Sequence, residues 1–106
     1  MQHYFCRLIS PRPTFQADMT ADERAIMIEH VAYWTDLAER GVAIAFGPVA
    51  DPAGGYGVSI IRLPDGADAH NLKRGDPVVK SGIGFRYEIS PMPRVVIPSW
   101  AEPPAR

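Results

Sequence analysis

The sequence has few of the features that mark secreted, membrane-spanning or nucleic-acid-binding proteins. A single cysteine among 106 residues excludes a disulfide within the chain and suits a reducing cytoplasm. No apolar run approaches the roughly 18 residues of a transmembrane helix. The formal net charge of -1 leaves no basic excess to hold nucleic acid or an anionic membrane. Residues 81–88 also depart from an RNA-binding motif, because Ser81 replaces its leading basic residue and Ile83 and Glu88 replace aromatic residues.

The apolar residues that are present, 46% of the chain, are enough for a globular protein. The length is close to the common domain size, so we expect one domain over residues 1–97 and a proline-rich tail over residues 98–106. Residues 1–5 have no charged segment followed by an apolar stretch, so we expect no signal peptide.

The clearest predicted element is an amphipathic helix over residues 20–40. Thr20 and Glu23 have the spacing of a capping box, and Gly41 has the position of a residue that ends a helix. At about 100° per residue, one arc of roughly 140° collects mostly apolar side chains, namely Ile26, Met27, His30, Val31, Trp34, Leu37 and Ala38. His30 therefore lies within an apolar stripe, where it needs a hydrogen-bonding partner.

Strands are predicted around this helix by alternating or continuous apolar residues. They cover residues 3–9, 42–49, 56–63 and 83–90, with a short edge strand at 95–97, and a second helix covers residues 67–74. The 42–49 segment is apolar on both faces, which predicts a central strand covered on both sides. Residues 10–19 contain two prolines and predict a long loop.

The predicted order β-α-β-β-α-β indicates an α+β fold of the ferredoxin-like type. In such a fold the helices cover only one face of the sheet. A chain of this length has no further helix to cover the other face. We therefore expect a homodimer whose protomers pack sheet to sheet.

His30 has two interpretations. As a core residue it would form one satisfied hydrogen bond, and as a functional residue it would transfer protons near neutral pH. The functional interpretation requires a carboxylate nearby, because burial alone disfavours a charged imidazole. Asp76 is the best candidate, although its position before Pro77 is also typical of a helix N-cap.

Other candidate residues keep structural alternatives. Arg12 could hold a substrate carboxylate or lie in solvent, and Trp34 and Phe46 could line a pocket beside His30 or pack in the core. His3 and Cys6 resemble a ligand pair, but they point to opposite faces of a strand. We therefore assign no metal site and expect no cofactor.

Several short motifs in order resemble the YCII-related family. They span most of the chain and comprise residues 29–34 (EHVAYW), Leu37, Gly41, residues 46–49 (FGPV) and residues 76–77 (DP). The resemblance implies a ferredoxin-like fold that dimerises into an α/β barrel. It also implies a His30–Asp76 site in a pocket near Gly47 and Pro48. Some relatives are linked to dehalogenation or ring chemistry of chlorinated aromatic breakdown products.

The leading functional hypothesis is a cofactor-free enzyme of lyase or isomerase type, in which His30 and Asp76 transfer a proton on a small anionic or aromatic metabolite. The alternative is a non-catalytic domain that binds a small ligand. A third hypothesis, a structural dimerisation module, predicts that side chains fill the space around His30.

Overall fold

The computed structural model describes residues 1–99 and consists of one sheet with helices packed on it. Most of the predicted proline-rich tail, residues 100–106, lies outside the described part. The elements are β1 (Gln2–Ile9), α1 (Phe15–Asp18), α2 (Ala21–Glu39), β2 (Ala43–Val49), β3 (Tyr56–Leu63), α3 (His70–Gly75), α4 (Pro77–Lys80) and β4 (Arg86–Met92).

The four strands form an antiparallel sheet in the order β2-β3-β1-β4. This α+β arrangement is compatible with the predicted ferredoxin-like fold. The prediction that strand 42–49 is central was wrong, because β2 lies at an edge of the sheet. Ala45 is exposed there, and its small side chain leaves little apolar surface in water. Pro48 lacks a backbone donor and is tolerated at an edge.

The long helix α2 begins and ends as its sequence predicts. Thr20 Oγ1 accepts a hydrogen bond from the Glu23 amide at 3.1 Å, and Glu23 Oε1 accepts one from the Thr20 amide at 2.9 Å. At the other end Gly41 has a positive φ of 77°. The amides of Gly41 and Val42 donate to Ala38 and Leu37, respectively, which is a Schellman motif.

The hydrophobic core lies between α2 and one face of the sheet. Trp34 and Leu37 of α2 pack there against Cys6 of β1 and Ile61 of β3. The predicted apolar stripe of α2 is only partly buried, because Val31, which belongs to it, is 49% exposed. The opposite face of the sheet has no helix packed on it among the described elements.

Three local predictions needed correction. The loop over residues 10–19 contains the one-turn helix α1, whose Phe15 is buried. The second helix was predicted to begin at residue 67 but begins at His70. Residues 95–97 form no strand, and β4 ends at Met92. Within residues 1–99, no helix has the length and hydropathy needed to cross a membrane.

Candidate functional site

The structure brings His30 of α2 into direct contact with Asp76. His30 Nδ1 lies 2.9 Å from both carboxylate oxygens of Asp76. The side chain of Asp76 is fully buried, and that of His30 is 12% exposed. The two residues are 46 positions apart in sequence, so only the packing of α2 on α4 joins them.

Asp76 accepts hydrogen bonds from three further groups. Its Oδ1 accepts from the Val78 amide at 3.0 Å, which makes it the N-cap of α4 with Pro77 in the first turn. Its Oδ2 accepts from Trp34 Nε1 at 2.8 Å and from the Tyr87 hydroxyl at 2.5 Å. Every donor lies on a regular element or at its start, so the carboxylate is held in one orientation.

The pKa values at the site follow from burial and from these hydrogen bonds. Burial raises the pKa of Asp76, but hydrogen bonds from His30, Tyr87 and Trp34, with the attraction of a charged His30, lower it below its ordinary value of 3.8. Burial also raises the pKa of the Tyr87 hydroxyl, and the negative charge of Asp76 raises it further. Asp76 is therefore ionised and Tyr87 neutral at physiological pH.

The ionised carboxylate determines the tautomer of His30. A carboxylate only accepts hydrogen bonds, so Nδ1 of His30 must carry the hydrogen that points to Asp76. In the neutral imidazole the lone pair is then on Nε2. Among residues 1–99, Nε2 has no hydrogen-bond partner. This nitrogen is the one available to a ligand.

A cavity of about 170 Å³ lies beside His30. Aromatic side chains make much of its wall, namely Phe15, Trp34, Phe46, Tyr56, Phe85 and Tyr87. The space next to His30 is therefore not filled by side chains. This observation contradicts the structural-module hypothesis, which predicts no pocket there.

The 10–19 segment contributes one wall of the cavity, including Phe15 and Gln16. The Phe15 ring meets Phe85 edge to face, with 4.9 Å between the ring centroids. The Gln16 amide group lies so close to Gly55 that a Cβ at Gly55 would stand 2.2 Å from Gln16 Oε1. The segment therefore packs against the β2–β3 turn and the start of β4.

Four of the predicted binding residues line the cavity, namely Trp34, Phe46, Gly47 and Pro48. Arg12 does not. Its guanidinium binds Asp18 at 2.7 Å and both carboxylate oxygens of Glu23 at 2.7 and 2.9 Å. The hydrogen bonds from Arg12 lower the pKa of Glu23 to about 2. Arg12 thus ties the 10–19 segment to the start of α2 and lies outside the cavity lining.

Two site residues were missed in the sequence. Tyr87 lies in the strand predicted over residues 83–90, and nothing local indicates that its hydroxyl reaches Asp76. Ser59, which lines the cavity, is buried in the middle of β3. Ser59 alternates onto the same face of β3 as Ile61 and Leu63, and a polar residue on that apolar face was the signal that could have found it. Cys6 also lines the cavity, but burial raises the pKa of its thiol, while a hydrogen bond with Ser59 lowers it less.

No group of three or more His, Cys, Asp or Glu side chains within residues 1–99 is arranged to hold a metal ion.

Comparison with curated proteins gave no match. The family model of the YCII-related domain matches residues 3–93, which include both His30 and Asp76 and every element of the fold except the first residue of β1. The chain therefore belongs to the YCII-related domain family.

Proposed function

We propose that the protein is a small cofactor-free enzyme of lyase or isomerase type, in which His30 transfers a proton on a small anionic or aromatic metabolite. The observation that carries the proposal is the placement of His30, which donates from Nδ1 to a buried carboxylate and borders a cavity. An imidazole held in this way presents a basic nitrogen to a ligand.

The proton transfer uses His30 and Asp76 in different roles. Nε2 of His30 takes a proton from the bound metabolite, and the ring becomes an imidazolium ion. Asp76 stabilises this ion, because the opposite charge lies 2.9 Å away in a buried setting. The imidazolium then returns the proton, either to another atom of the same molecule or to a leaving group. The first outcome is an isomerisation and the second an elimination.

Trp34 and Tyr87 support this chemistry by holding Asp76. With two neutral donors on Oδ2, the carboxylate stays ionised and cannot rotate away from His30. Both side chains also border the cavity, so they position the base and shape the space for the ligand. Such a supporting set of hydrogen bonds is typical of a preorganised acid–base pair.

The test is an activity screen with matched variants. The full chain is incubated in D₂O with a panel of small hydroxyaromatic compounds and lactones, and NMR follows consumption and deuterium incorporation. His30→Ala should abolish any turnover found while the far-UV circular dichroism stays unchanged. His70→Ala, on an exposed residue of α3, is the control and should keep full activity. Turnover that survives His30→Ala would contradict the proposal.

A second candidate function is a non-catalytic domain that binds a small ligand, and the cavity itself favours it. The two candidates differ in one result of the same screen. A compound that raises the melting temperature without being consumed or deuterated supports the binding domain. A compound that is consumed in a His30-dependent way supports the enzyme.

We also propose that two copies pair through the open face of the sheet, in a reducing cytoplasm that suits the single buried thiol. Alternation along β1 and β3 places Phe5 and Ile60 on this face, opposite the core. Phe5→Asp should convert a dimer to a monomer in analytical ultracentrifugation. Val96→Asp, at a residue that is 92% exposed, should leave the mass unchanged. A monomeric wild-type protein would contradict this proposal.

A further inference from the structure

The charge of the cavity wall limits what the cavity can bind. Among the residues of the described chain that line it, none is Lys, Arg, Asp or Glu. The polar lining groups are the imidazole of His30, hydroxyls, a thiol and the amide of Gln16. A ligand inside therefore meets apolar surface, a few uncharged hydrogen-bonding groups and an imidazole that is already paired with Asp76.

Two arginines stack on aromatic rings of the cavity wall, but neither of them lines the cavity itself. The Arg7 guanidinium lies 4.2 Å from the centroid of the Tyr56 ring, and Arg7 does not itself line the cavity. The Arg12 guanidinium lies 5.2 Å from the centroid of the Phe15 ring. Its charge is already matched by the carboxylates that bind it. Alternation along β1 places Arg7 on the face opposite the lining residues Cys6 and Leu8, so neither guanidinium is directed at a bound anion.

An anion in this cavity would be disfavoured for two reasons. It would lose its hydration and meet no lysine or arginine, while any positive charge on His30 is already paired with Asp76, and burial of an unpaired charge is costly. It would also approach the ionised Asp76, which lies directly behind His30. Repulsion between the two negative charges is only weakly screened away from water. A neutral ligand meets neither cost.

The size and the wall of the cavity indicate the shape of the ligand. An apolar cavity of about 150 Å³ holds one benzene molecule, and the cavity beside His30 measures about 170 Å³. Aromatic rings stack on or edge against a flat partner. Met19 and Met27 also line the cavity, and their flexible side chains adapt to small differences in ligand shape.

We propose that the cavity takes an uncharged, flat molecule of about one ring, with a hydroxyl or carbonyl group that reaches His30, and that it excludes anions of the same size. This inference rests on the proposed function, because it names the substrate class of the same site. Of the two substrate classes that the sequence leaves open, anionic and aromatic, it selects an aromatic or similarly flat neutral compound.

The test compares neutral and anionic probes of nearly equal shape. Phenol, benzamide and benzoate are titrated into the full chain at neutral pH, and Kd is measured by ligand-observed NMR. Phenol and benzamide should bind at least about tenfold more tightly than benzoate, because only benzoate must bury a charge. Benzoate binding as tight as benzamide binding would overturn the inference, and so would the failure of both neutral probes to bind.

A charge variant at Val31 provides a matched control. Val31 lines the cavity and is 49% exposed, so the fold tolerates a longer polar side chain there. Val31→Lys should strengthen benzoate binding about tenfold relative to Val31→Gln, because it adds the missing cation. Benzamide should bind both variants equally. Equal benzoate binding to the two variants would overturn the inference.

The proposed ligand class and the proposed enzyme activity can fail independently of each other. Turnover and probe binding are measured independently, and His30→Ala removes only the proposed proton acceptor. If the neutral probes bind selectively but no compound is turned over, the enzyme proposal fails and the ligand class stands. If anions bind best and turnover depends on His30, the ligand class fails and the enzyme proposal stands.

Discussion

Replacement of Tyr87 by phenylalanine removes one donor from the buried carboxylate and leaves the ring in place. The Tyr87 hydroxyl donates to Asp76 Oδ2 at 2.5 Å. Hydrogen bonds to charged groups contribute about 1.5–3 kcal/mol to stability. Asp76 keeps Trp34 and His30 as donors, so its charge is not left without partners. We expect the free energy of unfolding to fall by about 2 kcal/mol.

The assay is urea denaturation followed by tryptophan fluorescence, with Tyr4→Phe as the matched control. The Tyr4 hydroxyl donates to Gln2 Oε1 at 2.7 Å in an exposed, neutral pair. Its removal should change the free energy of unfolding by less than about 0.5 kcal/mol. If Tyr87→Phe costs no more than Tyr4→Phe, the carboxylate does not depend on its donors and the account of the site is wrong.

Three further predictions use the same denaturation assay. Because folding lowers the pKa of Asp76 below 3.8, its stabilising contribution is complete above that pH and lost as the pH falls through the folded pKa. Asp76→Asn should therefore have a lower free energy of unfolding than wild type at neutral pH, and the difference should become smaller in acid. A difference that does not change with pH would contradict this. Phe15→Ala should lower the free energy of unfolding by about 3 kcal/mol, because Phe15 is buried against Phe85. A decrease of less than about 1 kcal/mol would mean that the 10–19 segment is loosely packed. Gly55→Ala should displace the Gln16 side chain and lower the free energy of unfolding by less than about 1 kcal/mol. Amide hydrogen exchange of residues 15–18 should become faster. Unchanged exchange would contradict the contact between Gly55 and Gln16.

Local signals predicted the elements whose formation depends on nearby residues. The capping box of α2 and its glycine end are formed by side chains and amides a few positions apart, so the sequence contains them in full. The bounds of β3 match the prediction because turn residues flank the strand on both sides. Asp76 at the N-cap of α4 is local in the same sense.

Relations between distant segments were harder to predict. The apolar residues of β2 favoured a central position, whereas Pro48 is typical of an edge strand. Position in a sheet depends on all the strands together. The resemblance to the family supplied the pairing of His30 with Asp76, which composition and spacing left open. The Tyr87 hydroxyl bond depends on how β4 passes α4, and no periodicity encodes that distance.

The two edges of the sheet share a feature that bears on how the protein avoids aggregation. Pro48 lies in the edge strand β2, and Pro91 lies in β4 at the opposite edge. A proline has no amide hydrogen to offer an incoming strand and interrupts the row of donors and acceptors at an edge. Neither edge is therefore a good template for adding a strand from another chain. The dimer proposed above uses a face of the sheet instead, where side chains rather than backbone groups would determine the partner.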